Sequence, residues 1–457
     1  MPRLLIISPH FPPVNAPDMQ RVRMSLPYFV EAGWEVVVLT VDDHEPQAPL
    51  EPDLLQTIPP AVRIVRVHAF SRRWTRYLGM NNLGLRILPF VYNSACRLLN
   101  DEHFDVVFFS TTQFILLPLG RLWRYEFRVP YVIDLQDPWL NEYYSLPGSP
   151  RPPGGWKFLF AYGTAKLLEG WTLKRAAHVI SVSEQYLQTL QRRHRWWKPQ
   201  NASVLTFGAP DADLALARKK MAASPPLLPT TSTLKIAYAG RLGPDMLPAL
   251  DTLFAGLAGC QSATRPIEIF FYGTSYAPTE KAVSTTTALA RKHGISHLVH
   301  ERASRVGYLD ALRLMLECDL ALLLGSEDKA YSPSKIYPTL LSGRPALAVA
   351  PKNSVLERKI AELGGVELIT FGAGKSIDAP AVAALQDALG RFAANPKAPL
   401  GPPRQEVLLQ QNYSAAAISA RQLELFNAVI RATKPALTPV SLSDYFPEIA
   451  VQPPAIR

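Results

Sequence analysis

The chain has 457 residues, 48% hydrophobic and 19% charged, and a formal net charge of +10. At ~100–200 residues per domain, this length provides for two globular domains, and the composition excludes a disordered chain. The basic balance favours acidic partners, among them phosphorylated small molecules, anionic lipid and nucleic acid.

The opening Met1-Pro2-Arg3-Leu4-Leu5-Ile6-Ile7-Ser8 has too short an apolar core for a signal peptide and reads as a first buried strand. Further short apolar runs follow at 36–41, 106–109, 131–133, 179–182 and 204–205, separated by helix-length amphipathic stretches. That alternation describes a parallel sheet wrapped by helices, so residues 1–210 are expected to form one Rossmann-like domain. Residues 211–233 turn polar and rich in Pro, Ser and Thr, the composition of a linker. The pattern restarts with runs at 234–239, 267–272, 298–300, 320–324, 346–350 and 367–371, giving a second Rossmann-like domain over 234–402. A helical pattern covers 403–434, and a Pro-rich tail occupies 435–457. No apolar run approaches the ~18 residues that cross a bilayer. Cys96, Cys260 and Cys318 lie far apart, without metal or disulfide spacing, which fits a reducing cytosol.

Residues 331–347 are expected to form an anion-binding turn that feeds a helix. Pro333 presets the turn, Ser332 and Ser334 are placed to cap, Lys335 brings a cation to the first turn, and Gly343 with Pro345 ends the helix. Gly240-Arg241 follows the run 234–239 and so falls at the carboxyl edge of the second sheet, where open α/β folds bind ligands. An arginine there suits bidentate recognition of a diphosphate, as it also suits an ordinary surface loop. Asp137 follows the run 131–133 and is a candidate for meeting an acceptor hydroxyl, or for an Asx turn. The loop after the first strand supplies His10, Asp18, Arg21 and Arg23, with the arginines candidates for an acceptor phosphate or a solvated helix face. Asp211-Ala212-Asp213 matches a short metal motif but stands in the expected linker, outside the context that motif needs. Arginine is interleaved with tryptophan at 71–77 and 191–198, a composition that suits an anionic interface, stacking on bases, or tryptophans plugging a core.

Several pieces together resemble family 4 (group 1) glycosyltransferases, in that family's usual order. They are Ile6 to Pro13, Gly33 to Thr40, Asp134-Leu135-Gln136-Asp137-Pro138-Trp139, Ala177 to Glu184, Ala237 to Leu242, and the Ser334-Lys335-Ile336-Tyr337 to Gly343-Arg344-Pro345 segment. The resemblance implies the GT-B architecture, an α/β fold of two Rossmann-like doubly wound domains facing a central cleft. It implies retaining, metal-independent transfer from a nucleotide-diphosphate sugar, without a bound cofactor, to a saccharide or lipid-linked acceptor in polysaccharide or glycoconjugate assembly. Carried onto this chain, it makes Asp137, Arg241 and Lys335 the catalytic candidates. Gly240, Gly273, Gly307, Tyr331, Ser332, Ser334 and Lys335 become donor-binding candidates, and His10, Asp18 and Arg21 acceptor-binding ones. No nucleic-acid partner and no metal are expected; the expected setting is the cytoplasm, with peripheral contact at the inner face of the membrane.

Three departures stand against this. Leu247 replaces a lysine of the donor clamp, Asn15, Ala16 and Pro17 replace loop glycines, and Ala330 and Pro338 replace two glutamates, the later of which binds the nucleotide ribose in the family. The missing carboxylates keep a second reading open, a non-catalytic relative acting as a binding or partner subunit. A nucleic-acid-binding protein is a third, resting on charge and the Arg/Trp patches alone.

Overall fold

The computed structural model describes residues 1–46, 48–75, 77, 82–140, 156–260, 265–275, 283–328, 331, 333–372, 377–398 and 400–433. Two parallel sheets organise the chain, as the alternation of short runs and helices predicts. The first comprises β1 (Arg3–Ile7), β2 (Glu35–Val41), β3 (Arg63–Val67), β4 (Val106–Ser110), β5 (Tyr131–Leu135), β6 (His178–Ser181) and β7 (Ala202–Val204), in the order β3-β2-β1-β4-β5-β6-β7. The second comprises β8 (Leu234–Ala239), β9 (Ile267–Tyr272), β10 (Val299–Arg302), β11 (Leu320–Leu324), β12 (Ala346–Pro351) and β13 (Glu367–Phe371), in the order β10-β9-β8-β11-β12-β13.

Each sheet is covered on both faces, which is why central strands such as β1, β4, β11 and β12 read as near-continuous apolar runs rather than alternating ones. In β1, Leu5 and Ile7 enter one core layer while Leu4 and Ile6 enter the opposite one. In β8, Ala237 and Ala239 face one layer and Leu234, Ile236 and Tyr238 the other. The period of two along a strand sorts successive side chains to opposite faces, so one short run builds two cores.

The segment expected to be a linker is partly helical. Asp211–Ala223 forms a helix that packs against the helices Tyr308–Glu317 and Ile336–Ser342 of the second lobe, burying Asp213, Leu214 and Ala217. Its DADLALARKKMAA sequence carries good helix formers, which the Pro/Ser/Thr-rich residues beyond it obscure. The helical pattern over 403–434 is two helices, Glu406–Tyr413 and Ala415–Thr433. The second lies on the first lobe, where the Phe426 ring centroid is 5.1 Å from that of Phe108 and 6.0 Å from those of Phe29 and Trp34. The tail at 435–457 lies outside the described residues.

The lobes are joined by more than chain connectivity. Met19 and Leu54 of the first lobe are fully buried within a core layer of the second. Arg23 of the helix Gln20–Glu31 makes a bidentate pair with Asp213, at 2.7 and 2.6 Å, and Tyr308 donates its hydroxyl to the same carboxylate at 2.9 Å. A charge pair this deeply buried is held by complete hydrogen bonding, since each partner alone would be strongly penalised.

Candidate functional site

A cavity of about 320 Å³ opens between the lobes at the carboxyl ends of their strands. The first lobe contributes Asn15, Pro17 and Gln20 from the segment after β1, and Phe207, Gly208 and Pro210 from the segment after β7. Gly240 and Arg241 follow β8, Gly273 and Ser275 follow β9, Arg305 and Val306 follow β10, and Ser334 and Lys335 precede the helix Ile336–Ser342. Parallel topology brings these together, because every strand delivers its following loop to the same edge. The lining described there holds three cations, Arg241, Arg305 and Lys335, and no carboxylate. A larger groove of about 930 Å³, lined by Arg124, Lys174 and Arg175, lies where β6 and β7 begin, at the far edge of the first sheet.

Lys335 is the most constrained of the cations. Its ammonium donates to the carbonyl of Ala239, at the end of β8, and lies 5.1 Å from the centroid of the Tyr238 ring. Burial, and then the neighbouring Arg241 charge, push its pKa down to about 7. The lysine fits because residue 240 is glycine: a Cβ there would coincide with the ammonium. The φ of +149° at Gly240 is also one that glycine adopts readily.

Arg241 forms a bidentate pair with Asp245, at 2.8 and 3.0 Å, and its guanidinium lies 5.7 Å from the centroid of the Tyr331 ring. Asp245 also accepts from Ser326 Oγ at 2.5 Å. Burial alone would raise the Asp245 pKa, but Arg241 and Ser326 hold it below the usual carboxylate range. Arg241 is thus aimed by its neighbours while keeping a place in the cavity wall.

The turn at 331–335 differs in detail from its sequence reading. Gly343 ends the helix in the left-handed conformation at φ +74°, as its position predicts. At the other end no side chain caps the helix; the Ile336 N–H donates to the Pro333 carbonyl instead. Ser334 lines the cavity, Tyr331 stands behind Arg241, and Ser332 lies outside the described residues. Pro338, where the resembling family carries its ribose-binding glutamate, lines the cavity; Ala330 lies outside the described residues. Glu327 and Asp328 are exposed and absent from the lining.

Gly307 is not in the cavity wall. It lies against Glu51 of the other lobe, whose carboxylate accepts the backbone N–H groups of Tyr308 and Leu309. Gly273 does line the cavity, at φ +69°.

The acceptor candidates divide. His10 Nδ1 lies 2.8 and 3.0 Å from the two carboxylate oxygens of Asp18, which also accepts from Thr112 N–H at 3.1 Å and Thr112 Oγ at 2.9 Å. Burial would raise the Asp18 pKa, but His10 and Thr112 keep it low. Asp137 stands exposed nearby, and the protein mass around it, then the Asp18 charge, push its carboxyl above the usual range. Asp137 in turn acts on Tyr186, which burial, Asp137 and Asp328 raise to about 12. None of His10, Asp18, Asp137 and Tyr186 lines the cavity, although Asp18 lies in the chain between the lining residues Pro17 and Gln20.

Arg21 does not belong with them. It is 1% exposed, and its guanidinium donates to Asp134 at 2.7 Å, the Thr206 carbonyl at 3.0 Å and the Leu205 carbonyl at 2.7 Å. Arg23 is likewise committed to Asp213. Both arginines tie elements together from inside, which removes them as acceptor-phosphate ligands. Asp213 of the short Asp-x-Asp match is that internal partner.

Of the two Arg/Trp patches, the second is split by the fold. Trp197 is buried in the first lobe's core while Trp196 is 45% exposed, and Trp74 in the first patch is 75% exposed. Arg193 and His194 both bond Glu169. Among the described residues no helix is long and apolar enough to cross a membrane.

Arg305, Ser275 and Phe207 escaped the sequence reading, although each follows a short apolar run, at 298–300, 267–272 and 204–205, as Arg241 follows that at 234–239. Asn15 was noted there only as a replacement for a loop glycine, and the structure places it in the cavity wall.

Residues 20–208 match the Glycosyl transferase 4-like domain. Among solved structures, sucrose-phosphate synthase from Thermosynechococcus elongatus is similar at 15% identity, over 94% of this chain and 100% of that one, with a TM-score of 0.60. The Anabaena protein HepE, solved with UDP-glucose, is similar at 13% identity, over 93% and 99%, with a TM-score of 0.58. WaaG, a glycosyltransferase involved in lipopolysaccharide biosynthesis, is similar at 15% identity, over 94% and 98%, with a TM-score of 0.51. A comparison with curated protein sequences finds no match. Residues 20–208 thus carry a glycosyl transferase 4-like domain, and the chain as a whole has the two-lobed GT-B fold of these structures.

Proposed function

We propose that the chain transfers a sugar from a nucleotide-diphosphate donor, bound in the interlobe cavity, to an acceptor hydroxyl met by Asp137 of the first lobe. The observation that carries this reading is the cavity lining of Arg241, Arg305 and Lys335 without a carboxylate, at the strand ends of two facing lobes. About 320 Å³ is at the low end of small-ligand sites, which span ~300–1,000 Å³. Arg241 and Lys335 would stabilise the charge growing on the departing diphosphate, with protein cations in the place a metal takes elsewhere. As the bond between the sugar and the diphosphate breaks and the bond to the acceptor oxygen forms, the acceptor hydroxyl's proton would pass to the departing diphosphate, with Asp137 orienting that hydroxyl. Retention of the anomeric configuration follows from the family resemblance. The UDP-glucose complex of HepE supports a nucleotide sugar as donor.

WaaG's role in lipopolysaccharide biosynthesis supports a saccharide or lipid-linked acceptor in surface polysaccharide assembly. Exposed Trp74 and Trp196, flanked by arginines, suit peripheral contact with an anionic cytoplasmic leaflet.

One observation favours a second reading, a binding subunit without turnover. Pro338 lies in the cavity wall, and its side chain has no group able to accept the ribose hydroxyls. A panel of nucleoside diphosphates and their sugars, screened by thermal shift and then by hydrolysis and transfer with the purified chain, decides between them. Ligand stabilisation with turnover supports the transferase, stabilisation without turnover supports the binding subunit, and no stabilisation refutes both.

A further inference from the structure

We infer that Glu51 is a positioning residue for the donor, a carboxylate of the first lobe that latches the second lobe shut over the cavity; this rests on the donor-cavity reading above. The latch is built from local structure upward. The segment after β1 and the segment before β3 pair as a short ribbon, with Val14 bridged to Leu50 and the Glu51 N–H donating to the Pro13 carbonyl at 2.7 Å. This ribbon carries Asn15 and Glu51 toward the second lobe.

There the Glu51 carboxylate meets the start of the ten-residue helix Tyr308–Glu317. One oxygen accepts the Tyr308 N–H at 2.7 Å and the other the Leu309 N–H at 2.8 Å, while Asn15 Nδ2 donates to the carboxylate at 2.9 Å. A helix N-terminus carries unpaired N–H groups and a partial positive charge, and an anion satisfies both. Here the anion comes from the opposite lobe. Glu51 is 7% exposed, so the contact is made in a largely dry environment, where charge-assisted hydrogen bonds are strongest. The approach is close because residue 307 is glycine: a Cβ there would lie 3.2 Å from Glu51 Oε1.

Position gives the contact its consequence for the donor. Asn15 on one side of the latch, and Val306 and Tyr308 on the other, are themselves cavity-lining residues. Glu51 therefore fixes the separation of the two walls between which the donor sits. Lys220 adds a weaker tie alongside, 3.2 Å from Asp53 and 3.4 Å from Asp310. Neutralising Glu51 removes the charge that holds the helix end and favours an open arrangement, which a donor must then close at the expense of its affinity.

The test compares wild type with Glu51→Gln, Gly307→Ala and the double variant, as full chains. Glutamine keeps the shape but loses the charge and turns an NH2 toward one of two N–H donors. Alanine at 307 crowds the same carboxylate from the other lobe. Small-angle scattering without ligand is expected to show a larger radius of gyration in both single variants and no further increase in the double, since both act on one contact. Saturating nucleoside diphosphate is expected to restore the wild-type value. Donor KM is expected to rise about fivefold or more with kcat within about twofold, a split that a merely structural role would not give. Unchanged scattering in both single variants overturns the latch, and expansion with unchanged donor affinity overturns the positioning role. If no nucleoside diphosphate binds wild type, the proposed function fails, while the ligand-free scattering still decides whether Glu51 holds the lobes together.

Discussion

The ammonium of Lys335 occupies the space that a side chain on Gly240 would fill. Neither residue is intelligible alone. The lysine reaches the end of β8 because the glycine leaves room, and the glycine is required because the lysine is there. Gly240→Ala is therefore expected to expel the ammonium from beneath Ala239, with added strain at φ +149° of ~1–3 kcal/mol. Thermal shift by a nucleoside diphosphate should fall to that of Lys335→Ala, while far-ultraviolet circular dichroism stays that of wild type. A full wild-type shift in Gly240→Ala would show that this packing does not serve the donor.

The depressed Lys335 pKa sets a pH dependence for donor affinity. The free protein carries a charged lysine below about pH 7 and a largely neutral one above it. A bound diphosphate favours the charged form and raises the pKa, so binding above pH 7 takes up a proton. Affinity is then highest at and below pH 7 and weakens as pH rises from 7 toward the pKa of the complex, by at most ~tenfold per unit. Calorimetry in two buffers of different ionisation enthalpy should show proton uptake at pH 8 and little at pH 6. Lys335→Ala should show neither the uptake nor the slope.

Arg23 and Asp213 make a stability prediction independent of the donor. Their bidentate pair is buried between the lobes, and Arg23→Met leaves a buried carboxylate with only the Tyr308 hydroxyl beside it. Loss of ~3–5 kcal/mol is expected, since breaking one side of a buried pair strands the other charge. Thermal melting should show a large drop for Arg23→Met and partial recovery when Asp213→Leu is added. A melt within a degree of wild type for the single variant would contradict the pair's role.

The fold was legible where the local pattern decides it. Leu4 to Ile7 and Leu234 to Ala239 announce buried parallel strands because burial on both faces makes nearly every position apolar, Lys235 excepted. The strand β3 escaped because Arg63 and Arg66 interrupt its run, which an edge strand tolerates and a central one does not. The helix Asp211–Ala223 escaped because the Pro-rich residues after it dominated the composition of the window. In the site, Gly240, Arg241 and Lys335 were legible from their places after a strand or before a helix. Arg21 and Arg23 were misread because their partners, Asp134 and Asp213, lie 113 and 190 positions away. No local pattern reveals so distant a carboxylate, so two internal ties looked like two surface cations.

The central claim is that Arg241 and Lys335 hold the donor's diphosphate in the interlobe cavity. Titration calorimetry of uridine diphosphate and its sugars into wild type, Arg241→Ala and Lys335→Ala, at pH 7 and matched ionic strength, tests it most directly. The account predicts binding to wild type and at least ~tenfold weaker binding to each variant, with melting temperatures that show both variants folded. Equal affinity in all three proteins would contradict it.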